Sequence, residues 1–173
     1  MSIEHLSLLY SREQITTEVA RLADEINRDY AGQELLVVGI LKGSFLFFAD
    51  LVRQLKVPVT IDFMRLASYG TETQSSGIVE LRKDIELPVR GKNLLIVDDI
   101  VDSGLTLDTL FEKLKLKKPN SIKICALINK TSRREGMITP DYIGMTIVSG
   151  FIVGYGLDFN EQYRQLPDIY LLD

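Results

Sequence analysis

Leu94-Leu95-Ile96-Val97-Asp98-Asp99-Ile100-Val101-Asp102-Ser103-Gly104-Leu105-Thr106 is the stretch that decides the fold. Four apolar residues in a row, with no polar residue alternating between them, describe a short strand buried on both faces, here residues 94–97. The strand runs into two adjacent carboxylates. A third carboxylate follows, then Ser, Gly and Thr. After that, Leu107, Leu110, Phe111 and Leu114 recur on one helical face. The helix is expected over 105–117, with Pro119 just past its end. Ligands of open α/β sheets bind at the carboxyl ends of such strands.

The flanking chain repeats this alternation. Ser11 followed by Gln14 is a capping-box pattern, and Ile15, Val19, Leu22, Ala23 and Ile26 follow at helical spacing, so 12–30 reads as an amphipathic helix. Residues 35–41 form a second continuous apolar run. Lys42-Gly43-Ser44 reads as a loop, 45–55 as a helix, 57–66 as a strand and 121–128 as a further buried strand. Alternating strands and helices predict an α/β protein with a central, mostly parallel sheet. Residues 67–77 are small and polar and read as a mobile loop. Residues 142–173 are rich in β-branched and aromatic residues, and a small strand-rich cap over the sheet is expected there.

The 173 residues suit one domain, and 46% hydrophobic with 25% charged residues is ordinary globular composition. A net charge of −4 argues against a general nucleic-acid binder. The lone cysteine, Cys125, sits in an apolar run and reads as a buried strand residue; it cannot form an internal disulfide, which suits a reducing compartment. No signal pattern opens the chain and no apolar stretch approaches the ~20 residues that span a bilayer. A cytoplasmic protein without a membrane partner is expected. The one histidine, His5, lies near the N-terminus, so a histidine base or metal site is not expected.

Carboxylates beside a phosphate-suited helix start need a reason, because they repel an anion. The N-terminus of the helix offers free N–H groups and a positive dipole end. Gly104 lets the backbone approach a ligand closely, and Ser103 and Thr106 add hydroxyls. Sugar hydroxyls and Mg²⁺ are the natural partners for the acids, since hard cations take oxygen ligands. The segment therefore asks for a phosphorylated sugar with Mg²⁺. The plainer alternative is that Asp98 and Asp99 are strand-end turn residues and that Asp102 or Ser103 only caps the helix.

The run Ile96–Thr106 resembles the signature of the type I phosphoribosyltransferases, and Asp102 points to their hypoxanthine-guanine branch. The resemblance extends to Leu41-Lys42-Gly43, to Ser68-Tyr69, to Lys130, and to Phe151-Ile152-Val153-Gly154-Tyr155-Gly156-Leu157-Asp158 with Arg164. It implies one phosphoribosyltransferase domain over 1–173, with a hood from 142–173 and the N-terminal segment and a lid over 67–83. It also implies the reaction: transfer of ribose 5-phosphate from 5-phosphoribosyl 1-diphosphate to N9 of hypoxanthine or guanine, releasing diphosphate. The transition state is oxocarbenium-like.

Roles follow from the same likeness. Asp98 and Asp99 hold the ribose hydroxyls, directly or through Mg²⁺. Asp102 takes the proton from purine N7 and is the catalytic base. Asp102, Ser103, Gly104, Leu105 and Thr106 cradle the 5′-phosphate. Lys42, Gly43 and Arg164 bind the diphosphate, in a loop where the family often has a non-proline cis peptide before the lysine. Lys130 donates to the purine 6-oxygen, which favours a 6-oxo over a 6-amino base. Phe151 stacks on the purine, Ile152 offers backbone groups, and Asp158 is a Mg²⁺ ligand together with Asp98 and Asp99. Ser68 and Tyr69 belong to a lid that excludes water. A homodimer or homotetramer is the family's habit.

Two departures stand out. Asp98 occupies a position where many relatives carry Glu, which keeps the charge. Gly156 stands where relatives can carry Ala, an exchange expected to be neutral. Two other function classes also put acids at strand ends. A regulator could sense phosphoribosyl diphosphate without catalysis; the acidic balance and the presence of both Asp102 and Lys130 weigh against it. A phosphotransfer protein of the receiver or phosphatase type would carry its acids near the chain start, not after position 97.

Overall fold

The computed structural model describes residues 6–68 and 79–172. Its elements are β1 (Leu6–Tyr10), α1 (Arg12–Asp29), β2 (Leu35–Leu41), α2 (Phe45–Val52), β3 (Val59–Ser68), β4 (Val79–Lys83), β5 (Asn93–Val101), α3 (Leu105–Leu116), β6 (Ser121–Lys130), β7 (Tyr142–Ile147), β8 (Phe151–Val153) and β9 (Ile169–Leu172). Six strands form one sheet in the order β4-β3-β2-β5-β6-β7. Every neighbouring pair is parallel except β3 with β4.

Strand periodicity sorts the core into two layers. Leu35, Val37, Leu95, Val97, Cys125 and Leu127 point to one face, where Ile15, Val19, Leu22 and Ile26 of α1 and Phe47, Phe48 and Leu51 of α2 cover them. The alternate residues, Leu36, Val38, Leu94, Ile96, Ile124 and Ala126, point to the other face and meet Leu107, Leu110 and Leu114 of α3. With both faces covered, the strands need no polar alternation, which is why they read as continuous apolar runs. Ser11 caps α1 as its sequence predicts: its side chain accepts from the backbone N–H of Gln14, and the Gln14 side chain accepts from the Ser11 N–H. Cys125 is fully buried, and burial pushes its thiol up, so it is inert at neutral pH.

A second, antiparallel sheet of order β1-β9-β8 lies over the same layer as α1 and α2, with Ile152, Tyr155, Leu157 and Ile169 joining that core. The Tyr155 hydroxyl donates to Asp50 of α2 at 2.6 Å, and the Arg12 N–H donates to Asp168 at 2.7 Å. These bonds fix the small sheet to the helices.

Three expectations change. The strand expected at 94–97 runs on to Val101, because β6 continues to pair with it through Asp98, Ile100 and Val101 after β2 has left at Val97. The acids therefore sit on the strand's free end and not in a turn. Residues 142–147 do not belong to the small sheet but form β7, the parallel edge strand beside β6. The first helix after β2 ends at Val52 and not at 55. Of the expected lid, Ser68 is the last residue of β3 and pairs with Val79 of β4. Tyr69 lies outside the described residues, as does His5. No described helix is long and apolar enough to cross a membrane.

Candidate active site

The site begins where β2 stops pairing with β5. There the chain turns through Lys42 and Gly43, the Leu41–Lys42 peptide bond is cis, and the buried Ser44 hydroxyl donates to the Ile40 carbonyl at 2.6 Å. The turn brings Gly43 against Asp99. A Cβ on Gly43 would lie 1.9 Å from Asp99 Oδ2, so only glycine permits this approach. Gly156 packs on the same loop: its φ is +98°, and a Cβ there would lie 2.0 Å from the Gly43 carbonyl oxygen. The expected neutrality of alanine at 156 is therefore corrected, since the side chain would meet backbone and the φ disfavours any L residue.

Asp98 and Asp99 are neighbours in a poorly solvated place. Burial pushes the Asp98 carboxyl well above the usual carboxylate range, and the adjacent Asp99 pushes it further. Burial also raises Asp99, opposed by the hydrogen bonds it accepts and by the Arg164 charge. Two such acids gain from a cation or from hydroxyl donors. Among the described residues, however, no three His, Cys, Asp or Glu side chains converge as a metal cage. Asp158, expected as a third metal ligand, pairs with Arg164 at 2.8 Å and accepts the Glu161 N–H at 2.8 Å. The donor set fits Mg²⁺ of the kind that takes one or two carboxylates and completes its shell with water and substrate oxygens.

A cavity of about 610 Å³ opens beside these acids, lined by Asp99, Ile100, Asp102, Lys130, Ser132, Arg133, Ser149, Gly150, Phe151, Ile152, Leu157 and Asp158. Four separate chain segments thus converge on one space, from β5, β6, β8 and their loops. Lys130, the last residue of β6, is buried, and its Nζ lies 3.2 Å from Asp102 Oδ2. Asp102 Oδ1 is buried with no hydrogen-bond partner among the described residues. Phe151 is 49% exposed at the cavity, braced edge-on by Phe159 at 5.6 Å between ring centroids. An exposed, braced ring is a platform for a planar ligand. Ile152, the next residue, is buried and also lines the cavity.

Beyond Asp102, Gly104 caps α3 in the left-handed region (φ +83°), and the Ser103 hydroxyl accepts from the Leu105 N–H at a long 3.4 Å. The first helical bond comes from the Asp108 N–H to the Gly104 carbonyl, at 3.0 Å. The Thr106 N–H and the weakly bonded Leu105 N–H therefore lie at a helix start, as an anion requires. A second loop clamps this turn. Glu135 and Gly136 both donate to the Ser103 carbonyl (2.9 and 2.8 Å), and Asp108 accepts from the N–H groups of Met137 and Ile138 (2.8 and 2.9 Å). Arg134, held by Asn129, lies against Gly104.

Across the site, Lys42 and Arg164 come together although 42 and 164 stand far apart in the chain. Glu161 joins them, with 2.7 Å from its Oε1 to Lys42 Nζ and 3.1 Å from Oε2 to Arg164 Nη2. Arg164 also donates to the Gly156 carbonyl at 2.7 Å. The sequence reading did not single out Glu161, Ser132, Arg133, Arg134, Gly136 or Ser149. Their positions depend on loop closure, and only Glu161 had a local signal, lying between the quoted Asp158 and Arg164.

Three kinds of comparison converge. The sequence family described as "Phosphoribosyl transferase domain" matches residues 6–160. A hypoxanthine phosphoribosyltransferase of Salmonella typhimurium is 40% identical over 97% of each chain. A solved hypoxanthine-guanine phosphoribosyltransferase of Bacillus anthracis superimposes with a TM-score of 0.92 at 46% identity, over 96% of this chain and 98% of that one. A hypoxanthine phosphoribosyltransferase of Staphylococcus aureus does so with a TM-score of 0.94 at 39% identity, over 98% and 93%.

Proposed function

The chain belongs to the phosphoribosyl transferase family, and we propose that it is a hypoxanthine phosphoribosyltransferase of purine salvage. It transfers ribose 5-phosphate from 5-phosphoribosyl 1-diphosphate to N9 of hypoxanthine, and of guanine, releasing diphosphate. The single observation that carries the reading is the Asp102–Lys130 pair, 3.2 Å apart, in a cavity that also holds the exposed Phe151 ring. A purine needs a stacking surface, a donor at its 6-oxygen and an acceptor for its N7 proton, and these three residues supply one each.

Each residue has a task derived from its chemistry. Phe151 stacks on the base and Ile152 offers backbone groups to its edge. The Lys130 ammonium donates to the 6-oxygen. Asp102 Oδ accepts the proton leaving N7 as N9 attacks the anomeric carbon. The N–H groups of Leu105 and Thr106, with the Ser103 and Thr106 hydroxyls and Gly104, hold the 5′-phosphate at the start of α3. Asp98 and Asp99 hold the ribose hydroxyls, and their negative charge stabilises a ring that becomes cationic. Lys42, Gly43 and Arg164 hold the diphosphate. Ser68 and Tyr69 belong to a lid that keeps water from the sugar cation. Asp98, Asp99 and Asp158 would hold Mg²⁺, which would supply charge neutralisation of the diphosphate. We also propose a homodimeric or homotetrameric cytoplasmic enzyme whose partners are these two small substrates.

The test is turnover with Mg²⁺ and phosphoribosyl diphosphate, run in parallel on hypoxanthine, guanine, xanthine and adenine. Nucleotide should form from hypoxanthine and guanine and not from adenine. Absence of product from all three oxopurines contradicts the proposal.

A further inference from the structure

Glu161 has no part in the roles above, yet its carboxylate occupies the two cations of the diphosphate end. Its Oε1 lies 2.7 Å from Lys42 Nζ, and its Oε2 lies 3.1 Å from Arg164 Nη2 and 3.4 Å from Arg164 Nε. The side chain is 63% exposed, and an exposed ion pair alone could be incidental. The local backbone argues otherwise. Phe159 and Gln162 exchange both backbone hydrogen bonds, at 3.2 and 3.0 Å, around Asn160 (φ +50°) and Glu161 (φ +62°). That is a two-residue turn with positive φ at both central positions, the kind that prefers Asn-Gly. Asn160 obeys the preference and Glu161 does not, so the turn accepts an unfavourable residue where glycine would fit. The Glu161 N–H donates to Asp158 at 2.8 Å, which ties the turn to the carboxylate that itself pairs with Arg164.

We propose that Glu161 is a built-in competitor for the diphosphate subsite, a carboxylate that pairs with Lys42 and Arg164 in the free enzyme and is displaced when diphosphate binds. The inference rests on the assignment of Lys42 and Arg164 to diphosphate. Its chemistry is direct. A carboxylate and a phosphate both present paired oxygens to ammonium and guanidinium groups, and both cannot occupy the same donors. The internal anion keeps two cations poised side by side without ligand. It also weakens the hold on the diphosphate product, because every departure is compensated by re-formation of the two internal ion pairs.

The experiment measures binding and not only turnover. Inorganic diphosphate is titrated calorimetrically into the full chain at fixed Mg²⁺, for the wild type, Glu161→Gln and Glu161→Gly; the glycine variant suits the turn and guards against misfolding. Both variants should bind diphosphate more tightly, roughly three- to tenfold from the loss of two exposed ion pairs. Both should also show correspondingly stronger product inhibition, with the KM for the purine unchanged. Unchanged or weaker diphosphate binding in both variants overturns the inference. Lys42→Ala and Arg164→Ala run alongside should weaken diphosphate binding. If they do, while the Glu161 variants match the wild type, the subsite reading stands and the competitor is refuted. If they do not, the subsite reading itself falls and the inference falls with it.

Discussion

Lys130 Nζ lies 3.2 Å from Asp102 Oδ2, so the proposed donor to the purine 6-oxygen and the proposed base for N7 hold each other in the free protein. The other oxygen of Asp102, Oδ1, is buried with no partner among the described residues. An unsatisfied buried carboxylate oxygen at a cavity wall is a ready acceptor for a substrate N–H. Asp102→Asn preserves the shape and removes the ability to take a proton. Turnover should drop roughly 10²- to 10⁴-fold, the usual worth of a positioned base. Affinity for phosphoribosyl diphosphate should change little, as measured by titration without purine. Near-normal turnover contradicts the base assignment.

On the proposed reading, Lys130 sets selectivity through its charge. A 6-oxo group accepts from the ammonium, whereas a 6-amino group presents hydrogens to it. Lys130→Met removes the donor and also leaves Asp102 unpaired. The kcat/KM for hypoxanthine should fall ~10- to 100-fold, as for a lost hydrogen bond to a charged group. The wild-type discrimination against adenine should shrink by a similar factor. Competition assays with both bases give the ratio directly, and an unchanged ratio assigns the discrimination elsewhere.

The parts legible in the sequence were those governed by local physics. β2, β5 and β6 are buried on both faces and read as unbroken apolar runs. The capping box of α1 lies within four residues. What escaped was set by tertiary pairing. β1 and β4 are short edge strands with mixed patterns, and β7 owes its place to pairing with β6, which no periodicity announces. Glu161 reaches Lys42 across 119 positions, a contact no spacing rule detects. Asp98, Asp99 and Asp102 were legible as chemistry because strand, acids and helix start are contiguous. The cavity that joins them to Lys130 and Phe151 is a property of the closed fold.

Asp98 should report the cost of holding two acids together. Burial raises its carboxyl first and the Asp99 charge raises it further, so the folded-state value lies above the unfolded one. Stability from this group is present below the unfolded value and is lost as pH rises through the folded one. Asp98→Asn keeps the acceptor for the Asp99 N–H, now at 3.1 Å, and removes the charge. The ligand-free variant should melt a few degrees higher than wild type at neutral pH, at ~2–4 °C per kcal/mol for this size. The difference should narrow on acidification, while turnover falls. Calorimetry at neutral and mildly acid pH checks the sign, and a variant that melts lower at neutral pH refutes it.

Asp62 makes the opposite prediction, away from the cavity. Burial pushes its carboxyl up, but the N–H groups of Leu87, Phe63 and Glu86 and the Lys83 ammonium outweigh burial, and the net shift is downward. Its stabilisation is therefore present above the unfolded carboxylate value and is lost as pH falls through the depressed folded one. Asp62→Asn should destabilise the protein by ~1–3 kcal/mol at neutral pH, since one oxygen accepts both the Glu86 and Leu87 N–H groups, at 2.7 and 2.9 Å. The gap to wild type should close below about pH 4. Denaturant titrations across that range test it, and a gap that persists at acid pH counts against the assignment.

Gly156 links the loop after β8 to the acids through two close approaches in series. Its own Cβ position is 2.0 Å from the Gly43 carbonyl oxygen, and that of Gly43 is 1.9 Å from Asp99 Oδ2. Alanine at 156 meets backbone oxygen and not a flexible side chain, so the Lys42-Gly43 turn must move. The φ of +98° adds a penalty that lies outside the favoured regions for any L residue. Gly156→Ala should cost ~1–3 kcal/mol of stability. It should also raise the KM for phosphoribosyl diphosphate, because displacement of Gly43 disturbs both Asp99 and Lys42. The proposed purine contacts at Lys130 and Phe151 lie on other segments, so selectivity among hypoxanthine, guanine and adenine should hold. Steady-state kinetics with each substrate varied in turn separates these effects. A variant with wild-type melting and an unchanged KM for phosphoribosyl diphosphate would mean that the Gly43–Gly156 approach does not set the geometry of the diphosphate end.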